Sequence, residues 1–225
     1  MTSKVSVIIP AFNEESSIGR VLDALPQHNL HEIIVVNNAS TDRTAEVARE
    51  HGARVVDEMR RGYGQACLTG IAHLDDPDIV VFLDGDFSDY PEEIVGLLAP
   101  IESGSADFVL GSRMILAGSR RALLPQARYG NRLAAFLIRF LFQHRYTDLG
   151  PFRAIRYDSL KKLEMQDTNF GWTVEMQIKA VRHKLRIMEI PVKYRDRIGV
   201  SKITGTVSGT FRAGTKIIYT IFKYC

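Results

Sequence analysis

The sequence predicts an α/β fold: a mostly parallel central sheet with helices on both faces and a basic, helical C-terminal part. Three observations carry this. Short apolar runs alternate with helical segments through residues 1–110, the signature of βαβ units. These runs are almost continuously apolar, as expected of strands covered on both faces. The fourth run, Val80-Val81-Phe82-Leu83, ends abruptly in Asp84-Gly85-Asp86, and in open α/β sheets the carboxyl ends of the strands are where ligands bind.

Taken in order, Lys4 to Ile9 reads as the first strand, closed by Pro10, and Asn13 as the cap of a helix with Glu14 and Glu15 in its first turn. His31 to Val36 is the second strand. The polar turn Asn38-Ala39-Ser40-Thr41-Asp42 caps a helix over residues 42–51. Ala53 to Val56 is the third strand, and Gly62-Tyr63-Gly64 opens a helix running to Leu74. Asp78 to Leu83 is the fourth strand. Pro91 stands where a first-turn proline belongs, and Ala106 to Leu110 is the fifth strand. Beyond residue 111 a basic loop (Arg113, Arg120, Arg121) leads into a helix over Gln126 to Gln143. Thr147 to Pro151 is a turn, Phe152 to Tyr157 a strand, Trp172 to His183 a helix and Arg186 to Ile190 a strand. A polar loop from Arg195 to Thr206 precedes a final helix, Val207 to Tyr224.

The 225 residues fit one domain of ordinary globular composition, with 45% hydrophobic and 24% charged residues. Two cysteines, Cys67 and Cys225, are too few for a disulfide framework, and a reducing compartment is the default. No targeting peptide is expected, and no run reaches the ~18 apolar residues of a spanning helix. The expected place is the cytoplasm, extending to the cytoplasmic face of a membrane.

The net charge of +3 conceals a division. Residues 1–110 carry 7 Lys and Arg against 19 Asp and Glu, a net of −12, and residues 111–225 carry 22 against 7, a net of +15. An acidic half suits a metal, and a basic half suits an anion or an anionic surface. Arg128, Arg132 and Arg139 fall on one helical stripe, as do Arg212, Lys216 and Lys223. Aromatic and aliphatic neighbours such as Phe136, Phe140, Phe211 and Phe222 flank them, a pattern suited to a membrane surface. A solvated helix face explains the same stripes.

The motifs narrow the chemistry. Neither the dinucleotide fingerprint Gly-x-Gly-x-x-Gly nor the P-loop pattern follows the first strand. A nucleotidyltransferase would place a glycine-rich basic loop there, and this loop is acidic. Two aspartates separated by one residue repel, and a metal ion, a proton or a basic partner would relieve them. A divalent cation that also holds a diphosphate is the natural occupant, while a strand ending in an Asp-Gly turn explains the same residues.

Pro10-Ala11-Phe12-Asn13-Glu14, Val35 to Asp42 and Asp84-Gly85-Asp86, in this order and spacing, resemble the family 2 glycosyltransferases of GT-A fold. Gly111-Ser112-Arg113, Thr147 to Arg153 and Arg197 to Lys202 are similar to the branch of dolichyl- and polyprenyl-phosphate hexose synthases. The resemblance spans residues 4–222. It implies a single glycosyltransferase domain, with a nucleotide-sugar-binding half (1–110) and an acceptor-binding half (111–225). Pro10, Ala11, Phe12, Glu14 and Asn38 would shape the nucleotide pocket. Asp84 and Asp86 would hold the diphosphate through Mg²⁺ or Mn²⁺, with Arg113 near the phosphates. Arg153, Arg197, Ser201 and Lys202 would bind phosphate or acceptor. Asp148 would be the base or acceptor-orienting group, with Glu175 second.

The expected activity is inverting, metal-dependent transfer of a hexose from UDP-glucose or GDP-mannose to an acceptor such as polyprenyl or dolichyl phosphate. A phosphate acceptor is already ionised, so cationic positioning matters more than a base, which suits the +15 half. The alternatives are a soluble hydroxyl acceptor and a catalytically silent nucleotide-sugar-binding scaffold. No nucleic-acid partner is expected, and a homo-oligomer is allowed. Asn37-Asn38 replaces an acidic pair common in the family, Ser88 stands where some relatives have glutamine, and Phe12 replaces a frequent tyrosine.

Overall fold

The computed structural model describes residues 3–26, 30–199 and 207–225. Its core is a seven-stranded mixed sheet in the order β3-β2-β1-β4-β6-β5-β7. The strands are β1 (Val5–Ala11), β2 (Glu32–Asn37), β3 (Arg54–Asp57), β4 (Ile79–Phe82), β5 (Phe108–Ser112), β6 (Arg153–Arg156) and β7 (Ile187–Pro191). β1 runs parallel to β2 on one side, with Ile9 opposite Val35, and parallel to β4 on the other, with Val7 opposite Val81. β6 is antiparallel to both β4 and β5, and β7 pairs parallel to β5.

Side chains of opposite parity point to opposite faces of a strand, and two separate cores result. On one face Val7, Ile9, Val35 and Val81 pack against α1 (Ile18–Ala24), α2 (Thr44–Glu50) and α4 (Ile94–Glu102) through Ile18, Leu22, Ala48, Leu97 and Ile101. On the other, Ile8, Ile34, Val80 and Phe82 pack against α3 (Tyr63–Ala72), α6 (Pro125–Phe142) and α8 (Trp172–Arg182). Ala66, Cys67, Ile138 and Met176 contribute, and Trp172 sets its ring edge-on to Phe82 at 4.7 Å. α5 (Ala117–Ala122), α7 (Tyr157–Leu163) and α9 (Val207–Lys223) complete the described helices.

Three local expectations change. Asn13 does not cap α1, which starts at Ile18. Asn13 sits at φ 53° and exchanges hydrogen bonds with Ser40 and Thr41, so the loop after β1 is tied to the loop after β2. The strand over Phe152 to Tyr157 is shorter, and Tyr157 opens α7 instead. The basic stretch after Arg113 includes the short α5, whose Ser119 hydroxyl is anchored on the Val192 carbonyl.

Candidate active site

β1 has β2 and β3 on one side and β4 on the other, so the order in which strands are added reverses between the parallel β1 and β4. Such a switch point leaves a crevice at the carboxyl ends of the strands. A cleft of about 300 Å³ lies there, lined by Pro10, Ala11, Phe12 and Glu14 after β1, Asn38 after β2, and Asp84 and Asp86 after β4. Arg61, Tyr63, Asn169, Phe170 and Arg197 complete its walls.

The acidic end is built on β4. Asp84 Oδ1 is buried without a hydrogen-bond partner. Burial, then the neighbouring charge of Asp86, lifts its carboxyl to about 7. Asp86 Oδ1 accepts the Ser88 N–H (2.9 Å) and hydroxyl (2.5 Å), leaving Oδ2 toward Arg197 Nη1 at 3.1 Å. Arg197 Nη2 also reaches Glu14 Oε1 at 2.9 Å. One guanidinium thus bridges the ends of β1 and β4, and its backbone is pinned beside them by Ile198 N–H to Asp86 O (3.0 Å) and Arg195 N–H to Ser88 O (3.0 Å).

The other flank is built around Arg113 and Asp148. Asp148 is fully buried. Its Oδ2 accepts the Arg113 backbone N–H (2.9 Å) and Nε (2.8 Å), and its Oδ1 accepts Arg113 Nη2 (2.9 Å), Asn131 Nδ2 (2.5 Å) and the Leu149 N–H (2.8 Å). Burial alone would raise the carboxyl, but Arg113 holds it below the usual range. Burial likewise works against the Arg113 charge, and Asp148 outweighs it, so the guanidinium stays protonated. It lies 5.0 Å from the centroid of the Tyr194 ring. An orienting carboxylate for Arg113 suits this arrangement better than a proton acceptor with an open lone pair.

Glu175 and Arg153 stand apart from the cleft lining. Buried Glu175 accepts the N–H groups of Gln166 and Asp167, pairs with Lys179 at 2.8 Å and receives the Tyr224 hydroxyl at 2.6 Å. It holds the 165–171 loop, whose Asn169 and Phe170 reach the cleft. Arg153 is fully buried, donates to the carbonyls of Gly150 and Thr173, and is lowered to about 10 by burial. Ser201 and Lys202 lie outside the described residues.

Several site residues were not singled out from the sequence. Arg61 and Tyr63 follow β3, and the strand-end rule that picked the loops after β1, β2 and β4 applies equally there. Asp89 carries a buried carboxyl with both oxygens unpartnered, pushed well above the carboxylate range by burial and then by Asp84. Its distance from Asp86 along the chain is short, so the acidic run itself was the available signal. Asn169 and Phe170 come from a loop with no motif of its own.

Known proteins similar to this chain include glycosyltransferases. The model of "Glycosyl transferase family 2" matches residues 6–164. An uncharacterised glycosyltransferase of Mycobacterium tuberculosis is 35% identical, covering 93% of this chain and 94% of that protein. The dolichyl-phosphate hexose transferase of Haloferax volcanii is 31% identical over 98% and 93% of the two chains. The undecaprenyl-phosphate mannosyltransferase of Micrococcus luteus is 30% identical over 92% and 90%. Among solved structures, the glucosyl-3-phosphoglycerate synthase of M. tuberculosis in complex with Mn²⁺, UDP and phosphoglyceric acid superposes with a TM-score of 0.82. It is 24% identical, over 99% of this chain and 78% of that one, and shows that the fold is shared.

Proposed function

This chain belongs to glycosyl transferase family 2 and is a glycosyltransferase, and on that premise we propose that it inverts the anomeric centre of a nucleotide sugar, UDP-glucose or GDP-mannose, while transferring the hexose to polyprenyl phosphate. The observation that carries this is the pair Asp84 and Asp86, set at the switch point of the sheet and open to a cleft of nucleotide dimensions.

The residues present fit a divalent cation. Asp84 offers a buried carboxyl oxygen with no partner, and Asp86 keeps one oxygen whose neighbour is already a cation, Arg197. Among the described residues no cluster of three or more ligating side chains forms, so Asp84 and Asp86 would share Mg²⁺ or Mn²⁺ with oxygens of the donor diphosphate. When bound, the ion supplies Lewis-acid neutralisation of the leaving diphosphate. The protein's own residues do the rest. Pro10, Ala11 and Phe12 wall the nucleoside. Arg197, with its backbone pinned, brings fixed positive charge to the same oxygens, worth more in a preorganised site than in water. Arg113, held protonated by Asp148, presents a second cation to an incoming phosphate. That nucleophile is ionised at neutral pH and needs alignment rather than deprotonation.

The relatives named for dolichyl and undecaprenyl phosphate support the lipid acceptor, as does the link from Asp148 through Asn131 to α6. That helix and α9 pack together and expose Tyr129, Leu133, Phe136, Phe140, Phe211 and Phe222 beside basic residues. An anionic membrane surface fits this face.

The test supplies UDP-glucose or GDP-mannose, labelled in the hexose, with Mn²⁺ and polyprenyl phosphate in vesicles. Label should enter the lipid phase only with metal present. Asp86→Asn should lower that rate at least 100-fold, the order of loss when a group stabilising leaving-group charge is removed. Label passing only to water-soluble hydroxyl acceptors would select that alternative. Unchanged turnover by Asp86→Asn would remove the metal assignment.

A further inference from the structure

The C-terminal helix α9 has two faces with different partners. Lys216 and Thr220, with Tyr224 just past the helix end, are spaced four residues apart and fall within roughly 80° of one another around the axis. Phe211, Ile218 and Phe222 fall roughly opposite. The first set turns inward. Thr220 is buried, the Lys216 ammonium lies 2.8 Å from Asp167 Oδ2, and the Tyr224 hydroxyl donates to Glu175 Oε1 at 2.6 Å. The second set is exposed, and α9 packs beside α6, whose Phe136 and Phe140 are exposed as well.

The inward contacts all end on the 165–171 loop. Asp167 is the relay. Its Oδ2 receives Lys216, and its Oδ1 accepts the Asn169 N–H at 2.8 Å, while Asn169 and Phe170 line the cleft. Glu175, which receives Tyr224, accepts the N–H groups of Gln166 (3.0 Å) and Asp167 (2.6 Å). A Cβ at Gly171 would stand 2.3 Å from Thr220 Oγ1 and 2.5 Å from Asp167 Oδ2, so only glycine permits α9 to lie this close. On its other side the loop meets the start of α3, where the Gln65 N–H donates to Thr168 O at 2.8 Å. One short loop thus reaches from the inner face of α9 to the wall of the cleft.

We infer that α9 couples an anionic lipid surface to the cleft: lipid on its outer face fixes α9 against the 165–171 loop and so raises the affinity of the cleft for a nucleoside diphosphate, with Lys216 and Asp167 as the positioning residues. A surface shifts an equilibrium only through a difference in affinity for the two states. The difference here is geometric, because the exposed rings of α6 and α9 share one face only while α9 lies docked beside α6. Lipid therefore favours the docked helix, the state in which Lys216 holds Asp167 and Asp167 holds Asn169. This inference rests on the nucleotide-sugar and lipid-surface readings and adds to them a regulation of the cleft by the surface that presents the acceptor.

Isothermal titration with UDP and with GDP, each with Mn²⁺, tests it on the full chain with and without phosphatidylglycerol vesicles, while sedimentation reads vesicle binding separately. Vesicles should raise the affinity of wild type for its diphosphate about fivefold, the low end of coupling between two sites. Lys216→Met keeps the stem without the charge. It should still sediment with vesicles, because Lys216 faces inward, yet gain no affinity from them. Lys216→Arg should restore the gain, and Tyr224→Phe, which removes a single hydroxyl, should lose part of it. Wild type that sediments with vesicles but binds the diphosphate equally with and without them would overturn the inference, as would a full gain in Lys216→Met. Failure to sediment at low salt would remove the lipid-surface reading and the coupling with it. Binding of neither diphosphate to wild type would instead bring down the nucleotide-sugar reading.

Discussion

Asp148 shows how a single residue can stand at a site without being free to react. Both oxygens are engaged by Arg113, Asn131 and main-chain N–H groups, and removing one charge of a buried pair leaves the other uncompensated. Asp148→Asn is expected to cost about 3–5 kcal/mol in urea denaturation, whereas Arg113→Met with Asp148→Leu should cost less than either single change. An Asp148→Asn protein as stable as wild type would sink this account. At this scale the sequence was legible where the chemistry is local. Asp84 and Asp86 are separated by one residue, and Phe12 and Asn38 follow strands directly. The Arg113–Asp148 pair spans 35 positions, and nothing in either neighbourhood specifies the other. For the same reason the inward position of Lys216, 2.8 Å from Asp167, could not be read from a helical stripe that put it with Arg212 and Lys223.

At the scale of elements, strand–helix alternation was readable because apolar periodicity is a local property. The antiparallel insertion of β6 between β4 and β5 was not, because the pairing partner of a strand is a tertiary choice. Charged side chains fix that choice at the far edge. Asp107, just before β5, accepts Arg186 Nε at 2.9 Å and the Arg186 N–H at 3.0 Å, and lies 3.6 Å from Arg156 Nε. It thereby ties together the starts of β5 and β7 and the end of β6. The Arg186 hydrogen bonds are the main reason its carboxyl falls to about 2 from 3.8, although partial burial opposes them. The folded pKa is the depressed one, so the unfolded chain binds more protons between these values. The stabilisation is complete above about pH 4 and disappears as pH falls toward 2. Asp107→Asn should therefore be less stable than wild type at pH 7, and most of the difference should be gone by about pH 2. Thermal unfolding from pH 5 to pH 2 checks this, and a gap that stays constant with pH would assign the loss to something other than the charge.

Across the whole molecule, the charge division read from the sequence has a spatial counterpart. Glu14, Asp84 and Asp86 of the acidic first half meet at the ends of β1 and β4, and the basic second half supplies Arg197 to the same cleft and Arg113 near enough to act on Asp84. It also supplies the outer face of α6 and α9, where Phe136 is 63% exposed, Phe140 75% and Phe211 76%. Large aromatic groups so exposed are uncommon without a partner surface, and Arg132 and Arg139 stand exposed among those of α6. No described helix is long and apolar enough to cross a membrane, so contact through this face would be lateral, with aromatic rings at the headgroup boundary and cations toward anionic lipid. Each basic residue near such a surface contributes about 1 kcal/mol, or roughly fivefold in partition. Sedimentation with phosphatidylglycerol vesicles should accordingly carry the protein down at low salt and release it as salt rises. Arg132→Gln and Arg139→Gln should each weaken partition about fivefold on anionic vesicles and hardly at all on neutral ones. Phe140→Ser should weaken it on both, because its contribution is buried apolar area rather than charge. Failure to sediment with anionic vesicles at low salt would leave the aromatic face unexplained by lipid and shift the acceptor toward a soluble hydroxyl compound.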